Sequence, residues 1–270
     1  MIMRHKQKLV RLKKIISDYR SCLIAFSGGV DSTFLLKAAT LVLPREKILA
    51  VTACSATYPK DELAFSKNIA RGLGVRYKII RTRELKDRKF ISNPVNRCYF
   101  CKKELFARLK KMALRSKLDV VLDASNLSDE SDLRPGNIAK REYKIRSPLQ
   151  EAGFTKEEIR KSSRELGLVT WDKPSLACLA SRIPYGTKIS SRLLGRINQA
   201  ESYLKKIGFK QVRLRHYNGL CRIEVSQGDI PRLISRHRQV VDKLKKMGYN
   251  YVTVDLEGYR TGSMNEVIKR

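Results

Sequence analysis

Two groups of side chains in this 270-residue chain have the types and spacing for chemistry. The first lies in Ile24-Ala25-Phe26-Ser27-Gly28-Gly29-Val30-Asp31-Ser32. Gly28 and Gly29 let a backbone approach an anion closely, and Ser27 and Ser32 add hydroxyl donors. Asp31 can hold a Mg2+ that travels with phosphate. The second group is sulfur: Cys98-Tyr99-Phe100-Cys101, a CxxC ahead of a helical pattern, and Cys178 in Pro174-Ser175-Leu176-Ala177-Cys178-Leu179-Ala180-Ser181-Arg182. A helix N-terminus favours thiolate, which is both nucleophile and metal ligand. A lone CxxC serves a redox dithiol, half a zinc site or part of an iron–sulfur site. No second CxxC exists, and the histidines are His5, His216 and His237, so a closed four-ligand zinc site is poorly supplied. Three thiolates on a 4Fe-4S cluster leave one iron open to a sulfide or a substrate. Spacing alone equally allows three unrelated thiols. Cys22, Cys54 and Cys221 sit in apolar strand patterns and read as core or near-core fillers.

The elements that must position these groups follow from hydrophobic periodicity. Residues Cys22 to Phe26 read as a buried strand and Thr33 to Ala39 as a helix. The Gly-Gly turn between them brings free N–H groups and a positive dipole end to one point. No G-K-[ST] follows, so this is not a Walker A loop. It resembles the pyrophosphate loop (PP-loop) of the N-type ATP pyrophosphatases, S-G-G-x-D-S, which split ATP between the α and β phosphorus. That resemblance implies ATP and Mg2+ as cofactors. It implies nucleotide contacts from Ala25, Phe26, Ser27, Gly28, Gly29, Asp31 and Ser32, with Ser55 and Asn126 beyond later strands.

Arg4 to Tyr19 reads as a basic amphipathic helix. Strands at Ile48–Cys54, Val75–Ile80 and Val120–Leu122 then alternate with helices at Asp61–Leu73 and Lys102–Leu114. Thr155 with Glu158 predicts a capping box opening a helix to about Leu166. Alternating βαβ units predict a parallel sheet that binds nucleotide at the carboxyl ends of its strands. Past Thr187 the pattern changes to a helix at Ser191–Ile207, paired strands at Gln211–Arg215 and Cys221–Val225, a helix at Pro231–Met247 and a strand at Tyr249–Leu256. The expected fold is α/β: a parallel-sheet PP-loop (adenine nucleotide alpha hydrolase-like) domain over residues 1–186, followed by a smaller α+β substrate-binding and oligomerisation domain over 187–270.

Composition adds bounds. There are 57 Lys plus Arg against 26 Asp plus Glu, a net charge of +31, spread along the whole chain. Such charge suits RNA or another polyanion, and equally a solvated Lys-rich surface. No RRM or KH signature appears, so RNA is not the favoured partner. No apolar run reaches membrane-spanning length and the first residues lack a signal-peptide core, which points to the cytoplasm. A disulfide framework is not expected there.

Further blocks narrow the family. They are Asp132-Leu133-Arg134-Pro135-Gly136, Arg146-Ser147-Pro148-Leu149, Glu165-Leu166-Gly167-Leu168 and Trp171-Asp172-Lys173-Pro174. The most specific is Cys178-Leu179-Ala180-Ser181-Arg182-Ile183-Pro184-Tyr185-Gly186-Thr187, and Tyr251 to Asn265 adds to it. With these the chain resembles the LarE family, PP-loop sulfurtransferases that help build the nickel-pincer nucleotide cofactor of lactate racemase. The resemblance implies that ATP adenylates a carboxylate of pyridinium-3,5-biscarboxylic acid mononucleotide and that a sulfur nucleophile then displaces AMP. Some members sacrifice a cysteine sulfur; others carry three cysteines that hold a 4Fe-4S cluster. Cys98, Cys101 and Cys178 place this chain with the second kind, with Cys178 and Asp31 in the catalytic machinery and the sulfur donor unspecified. Ala124 stands where the family usually has Gly.

Arg213 and Arg215, two apart on a strand, share a face and suit a phosphate and a carboxylate; a solvated basic strand has the same spacing. Glu201 is a further catalytic candidate, and Ser181 and Arg182 are substrate candidates beside Cys178. The expected partner is a small mononucleotide, and a homo-oligomer is expected. The rival activity is tRNA thiolation by a PP-loop enzyme, which the charge favours and the Pro184–Thr187 block does not.

Overall fold

A computed structural model describes residues 2–58, 60–129, 135–174 and 177–268. The expected block at Asp132-Leu133-Arg134 and the pair Ser175-Leu176 lie outside the described residues. The helices are α1 (Ile2–Ser17), α2 (Val30–Thr40), α3 (Lys60–Gly72), α4 (Arg88–Ile91), α5 (Arg97–Arg115), α6 (Gly136–Glu142), α7 (Pro148–Glu151), α8 (Lys156–Glu165), α9 (Ser191–Lys206), α10 (Ile230–Ser235) and α11 (His237–Lys246). The strands are β1 (Cys22–Ala25), β2 (Ile48–Cys54), β3 (Arg76–Arg81), β4 (Val120–Leu122), β5 (Val212–Tyr217), β6 (Leu220–Val225) and β7 (Tyr251–Val254). None of the described helices is long and apolar enough to cross a membrane.

The chain divides into two compact units: residues 1–90 with 95–176, and residues 91–94 with 177–270. The segment 177–186, expected with the first domain, therefore belongs to the second. Asn93 shows why. Its buried amide donates to the carbonyls of Pro184 and Thr187, at 2.7 and 3.1 Å, and the Gly186 N–H returns a bond to the Asn93 carbonyl at 2.9 Å. A four-residue splice from earlier in the chain thus clamps the start of the second unit.

The first unit is a four-stranded sheet in the order β3-β2-β1-β4 with every pairing parallel. Alternate residues face opposite sides. Cys22, Ile24, Ile48 and Ala50 pack with Leu12, Ile16, Phe34 and Phe154 on one face. Leu23, Leu49 and Val51 pack with Phe106, Leu109 and Ala139 on the other. Period-two alternation between two covered faces is what a doubly wound sheet requires. The central strand β1 is buried on both sides and its carboxyl end leads directly into the Gly-Gly turn. Edge strand β3 carries Arg76, Lys78 and Arg81 outward, charges that discourage pairing with another chain.

The second unit holds a three-stranded sheet, β5-β6-β7. Strands β5 and β6 form an antiparallel hairpin, and β7 runs parallel to β6. The hairpin turns at Asn218-Gly219, both with positive φ (39° and 96°), which is the backbone a two-residue hairpin loop needs. Helix α9 packs on β5 through Leu194, Ile197 and Leu204, all fully buried. The single helix expected over Pro231–Met247 is broken at Arg236 into α10 and α11. The break lets both Arg232 and Arg236 donate to the Ile207 carbonyl at the end of α9, at 3.2 and 2.7 Å.

Candidate functional site

In the first unit, the turn after β1 is built by its own short side chains. The Ser27 and Ser32 hydroxyls meet at 3.1 Å, Ser32 Oγ donates to the Gly29 carbonyl at 3.2 Å, and the Gly29 N–H donates to Ser27 Oγ at 3.3 Å. Gly28 takes φ +68°, and a Cβ there would lie 2.9 Å from Ser66 Cβ, so left-handed backbone and close packing both require glycine. Gly29 caps α2 without a side-chain bond, leaving the helix N-terminus open to an external acceptor. Phe26 is buried, its N–H on the Val51 carbonyl at 2.9 Å, and Ala25 is half-buried at the end of β1. Ser55 and Asn126 follow the carboxyl ends of β2 and β4.

Asp31, half-buried on the first turn of α2, has two partners. Asn126 Nδ2 approaches Oδ1 at 3.4 Å, and Lys156, the first residue of α8, donates its ammonium to Oδ2. Asn126 is 2% exposed and its Oδ1 has no hydrogen-bond partner, a buried acceptor that a ligand N–H or O–H would satisfy. A second lysine arrives from the Trp171–Pro174 block. Lys173 Nζ donates to Glu62 at 2.6 Å and to the Gly28 carbonyl at 3.2 Å, and it lies 3.4 Å from the Phe65 ring centroid. Tyr58 donates to the Ser27 carbonyl at 2.8 Å. Sequence reasoning missed Lys156, Lys173 and Tyr58. The clue to Lys173 was its place in a family-specific block, and the clue to Lys156 was its position just after the Thr155 cap.

Also in the first unit, Cys98 and Cys101 occupy the first turns of α5 itself rather than preceding it. The helix starts at Arg97, whose side chain is buried, so the pair sits three apart on a helical surface with Cys98 exposed and Cys101 half-buried. Cys22 behaves as expected of a core residue: burial pushes its thiol up to about 12. Cys54 is only half-buried.

In the second unit, Cys178 is exposed and precedes a short 3-10 turn, Leu179–Arg182. That turn is held by Arg182, which is 2% exposed. Its Nε and Nη2 grip both oxygens of Glu201 at 2.8 and 2.9 Å. Its Nη1 donates to the carbonyls of Ala177 and Cys178 and to Ser181 Oγ, at 2.8, 3.1 and 3.0 Å. Glu201 also accepts the Leu214 N–H at 2.9 Å. Burial pushes its carboxyl up, but Arg182, Leu214 and Arg213 together hold it below the ordinary carboxylate value. Glu201, the further catalytic candidate, is held in a two-bond pair with Arg182, which in turn holds the Cys178 carbonyl.

Arg213 and Arg215 are both 5% exposed, so they are not a solvated basic strand. Arg215 grips Glu224 at 2.8 and 2.7 Å and donates to the Ser181 carbonyl and Ser263 Oγ. Arg213 lies over the Tyr259 ring at 5.2 Å; burial, then Arg182, push its pKa down. Arg182, Arg213 and Arg215 are buried together with Glu201 and Glu224, and two of the guanidiniums pair with those carboxylates. Arg182 and Arg215 each grip a carboxylate with two bonds, while Arg213 donates from Nη1 to the Val212 carbonyl at 2.9 Å. Cys221 is buried, its thiol pushed up to about 12. Within neither unit do the described residues group three His, Cys, Asp or Glu side chains as a metal site would.

A parallel sheet with a Gly-Gly turn at the carboxyl end of its central strand, followed by a unit with its own mixed sheet, defines an α/β protein of the PP-loop kind. No family model matches the chain. The chain is 35% identical to the pyridinium-3,5-bisthiocarboxylic acid mononucleotide synthase of Lactiplantibacillus plantarum, across 97% of this chain and 95% of that protein. It is 39% identical to an uncharacterized protein of Synechocystis sp., across 98% and 99%, and 30% identical to one of Methanocaldococcus jannaschii, across 94% and 98%. The chain belongs to the LarE family of pyridinium-3,5-bisthiocarboxylic acid mononucleotide synthases.

Proposed function

We propose that the protein is an ATP-dependent sulfurtransferase that converts a carboxylate of pyridinium-3,5-biscarboxylic acid mononucleotide to the thiocarboxylate, a step in nickel-pincer nucleotide synthesis. The observation that carries the reading is end-to-end likeness to a synthase whose name specifies that thiocarboxylate product. In the first step a substrate carboxylate oxygen attacks the α-phosphorus of ATP. The α–β bridging bond breaks and pyrophosphate leaves with its electron pair. In the second, a sulfur nucleophile adds to the activated carbonyl carbon and AMP departs with the oxygen that attacked.

The chain's own groups suit these steps. The open N-terminus of α2, the Ser27 and Ser32 hydroxyls and the backbone at Gly28 offer donors to phosphate oxygens. Magnesium in nucleotide sites is usually held by one or two carboxylates plus phosphates, and Asp31, already facing the cationic Lys156, fits that role. The partnerless Asn126 Oδ1 suits a nucleotide hydrogen. Arg213 and Arg215, adjacent on one face of β5, are guanidiniums of the kind that bind a substrate phosphate or carboxylate. Cys98, Cys101 and Cys178 would hold a 4Fe-4S cluster, their thiols being accessible where those of Cys22 and Cys221 are not. When bound, such a cluster supplies a replaceable sulfide on its open iron.

The test is product identity with each candidate acceptor. With Mg2+ and the mononucleotide, ATP should give AMP and pyrophosphate; ADP and phosphate would contradict the reading. The net charge of +31 favours tRNA as the rival acceptor. Release of pyrophosphate stimulated by tRNA and not by the mononucleotide would establish the rival.

A further inference from the structure

The Gly-Gly turn has no lysine of its own, yet two reach it from segments far along the chain, and they are held differently. Lys173 is fixed from three sides, by Glu62, by the Gly28 carbonyl and by the face of Phe65. Its side chain is 15% exposed and that of Glu62 13%. Lys173 fastens α3 to the carbonyl of the one left-handed residue in the turn. Lys156 is different. The side-chain partner of its ammonium is Asp31, and the pair is more open, at 28% and 24%. A partly exposed ion pair of this kind contributes little to stability and breaks readily.

Asp31 is also the acidic side chain of the turn, so the ammonium and a divalent metal require the same carboxylate. We infer that Lys156 is a catalytic cation of this site, exchanging Asp31 for the phosphate chain when ATP binds with magnesium. The inference rests on reading Ser27–Ser32 as the ATP phosphate turn and deepens it. Negative charge grows on the departing pyrophosphate as the α–β bond breaks. An ammonium beside those oxygens stabilises that charge with no proton transferred. It is the task a Walker lysine performs from within its loop, supplied here from the start of α8. Lys173, by contrast, is a positioning residue.

Lys156→Gln, Lys156→Arg and Lys173→Met test the assignment, read by ATP binding across a Mg2+ titration, by mononucleotide-dependent AMP formation and by melting temperature. Lys156→Gln should lower AMP formation about 100-fold or more, the loss typical of removing one transition-state donor. It should also shift the Mg2+ midpoint for ATP binding to lower concentration, because no ammonium competes for Asp31. Lys156→Arg keeps the pair with Asp31, and with it the fold; its rate should fall between those of wild type and the glutamine variant. Lys173→Met should lower the melting temperature and leave the Mg2+ midpoint in place. A glutamine variant with the wild-type rate, or with an unmoved midpoint, would overturn the inference. So would an arginine variant no better than glutamine. Wild-type protein that binds no ATP would overturn the ATP reading along with this one; wild-type activity matched by Lys156→Gln would overturn this one alone.

Discussion

Gly28 in the first unit and Glu201 in the second are single residues on which the local structure depends for different reasons. Gly28→Ala combines a left-handed backbone, costing about 1–2 kcal/mol for an L residue, with a Cβ placed 2.9 Å from Ser66 Cβ. The variant should melt at lower temperature than wild type and lose ATP binding; an unchanged melting curve would show that the turn is not as described. Glu201 sits in a buried two-bond pair with Arg182. Glu201→Gln strands the guanidinium and should cost about 3–5 kcal/mol in denaturant unfolding. A stable but inactive Glu201→Gln protein would instead make Glu201 an acid or base. Because its folded pKa is depressed, Glu201 contributes stability above the unfolded carboxylate value of about 4.3 and loses it as pH falls through the lower folded value. Acid unfolding of wild type should therefore have a component below about pH 4 that Glu201→Gln lacks. The thiols divide similarly. Iodoacetamide at neutral pH should label Cys98 and Cys178 and spare Cys22 and Cys221, whose thiols burial pushes to about 12. Labelling of Cys22 ahead of Cys178 would contradict that division.

Helix α8 delivers Lys156, and its local design shows how an element can place a charge. Thr155 and Glu158 form the capping box that the sequence predicts, with the Thr155 hydroxyl accepting the Glu158 N–H and the Glu158 carboxylate accepting the Thr155 N–H. Helix α1 braces the same helix at both ends. Lys8 bonds Glu158 at 2.7 Å, and buried His5 bonds Glu165 at 2.9 Å. Thr155→Ala should cost about 1 kcal/mol of stability. It should also lower AMP formation by more than that loss of folded protein explains, because the cap precedes Lys156 directly; a stability loss with full activity would detach the helix start from the site. The cap was legible in the sequence because it depends on residues three apart. The bracing was not, since His5 and Glu165 are 160 positions apart and neither has a local signature. The same limit explains the helix expected over Pro231–Met247: its apolar spacing continues through Arg236, while the break answers to the Ile207 carbonyl on another element. It also explains Arg213 and Arg215, whose shared face was predictable and whose burial against Glu224 and Tyr259 was not.

At the scale of the whole molecule, the parallel sheet and its turn were readable because βαβ alternation and the SGGxDS pattern are local. The division of the chain was less so. A pattern change near Thr187 was visible, but the true start of the second unit depends on Asn93, spliced in from 84 positions before Ala177 (177 minus 93). The charge of +31 is likewise a property of the whole surface and says nothing of a specific site. Any tRNA binding driven by that charge should weaken steeply with added salt, while mononucleotide-dependent AMP formation should not. In the proposed reaction a substrate carboxylate is activated by adenylation and then exchanged for sulfur. Its most direct test is transfer of heavy oxygen. The mononucleotide is labelled in its carboxylates and incubated anaerobically with reconstituted protein, ATP, Mg2+ and sulfide, and AMP and the mononucleotide are weighed by mass spectrometry. AMP should carry one heavy oxygen for each thiocarboxylate formed. Unlabelled AMP, or thiocarboxylate formed without AMP, would contradict the proposed reaction.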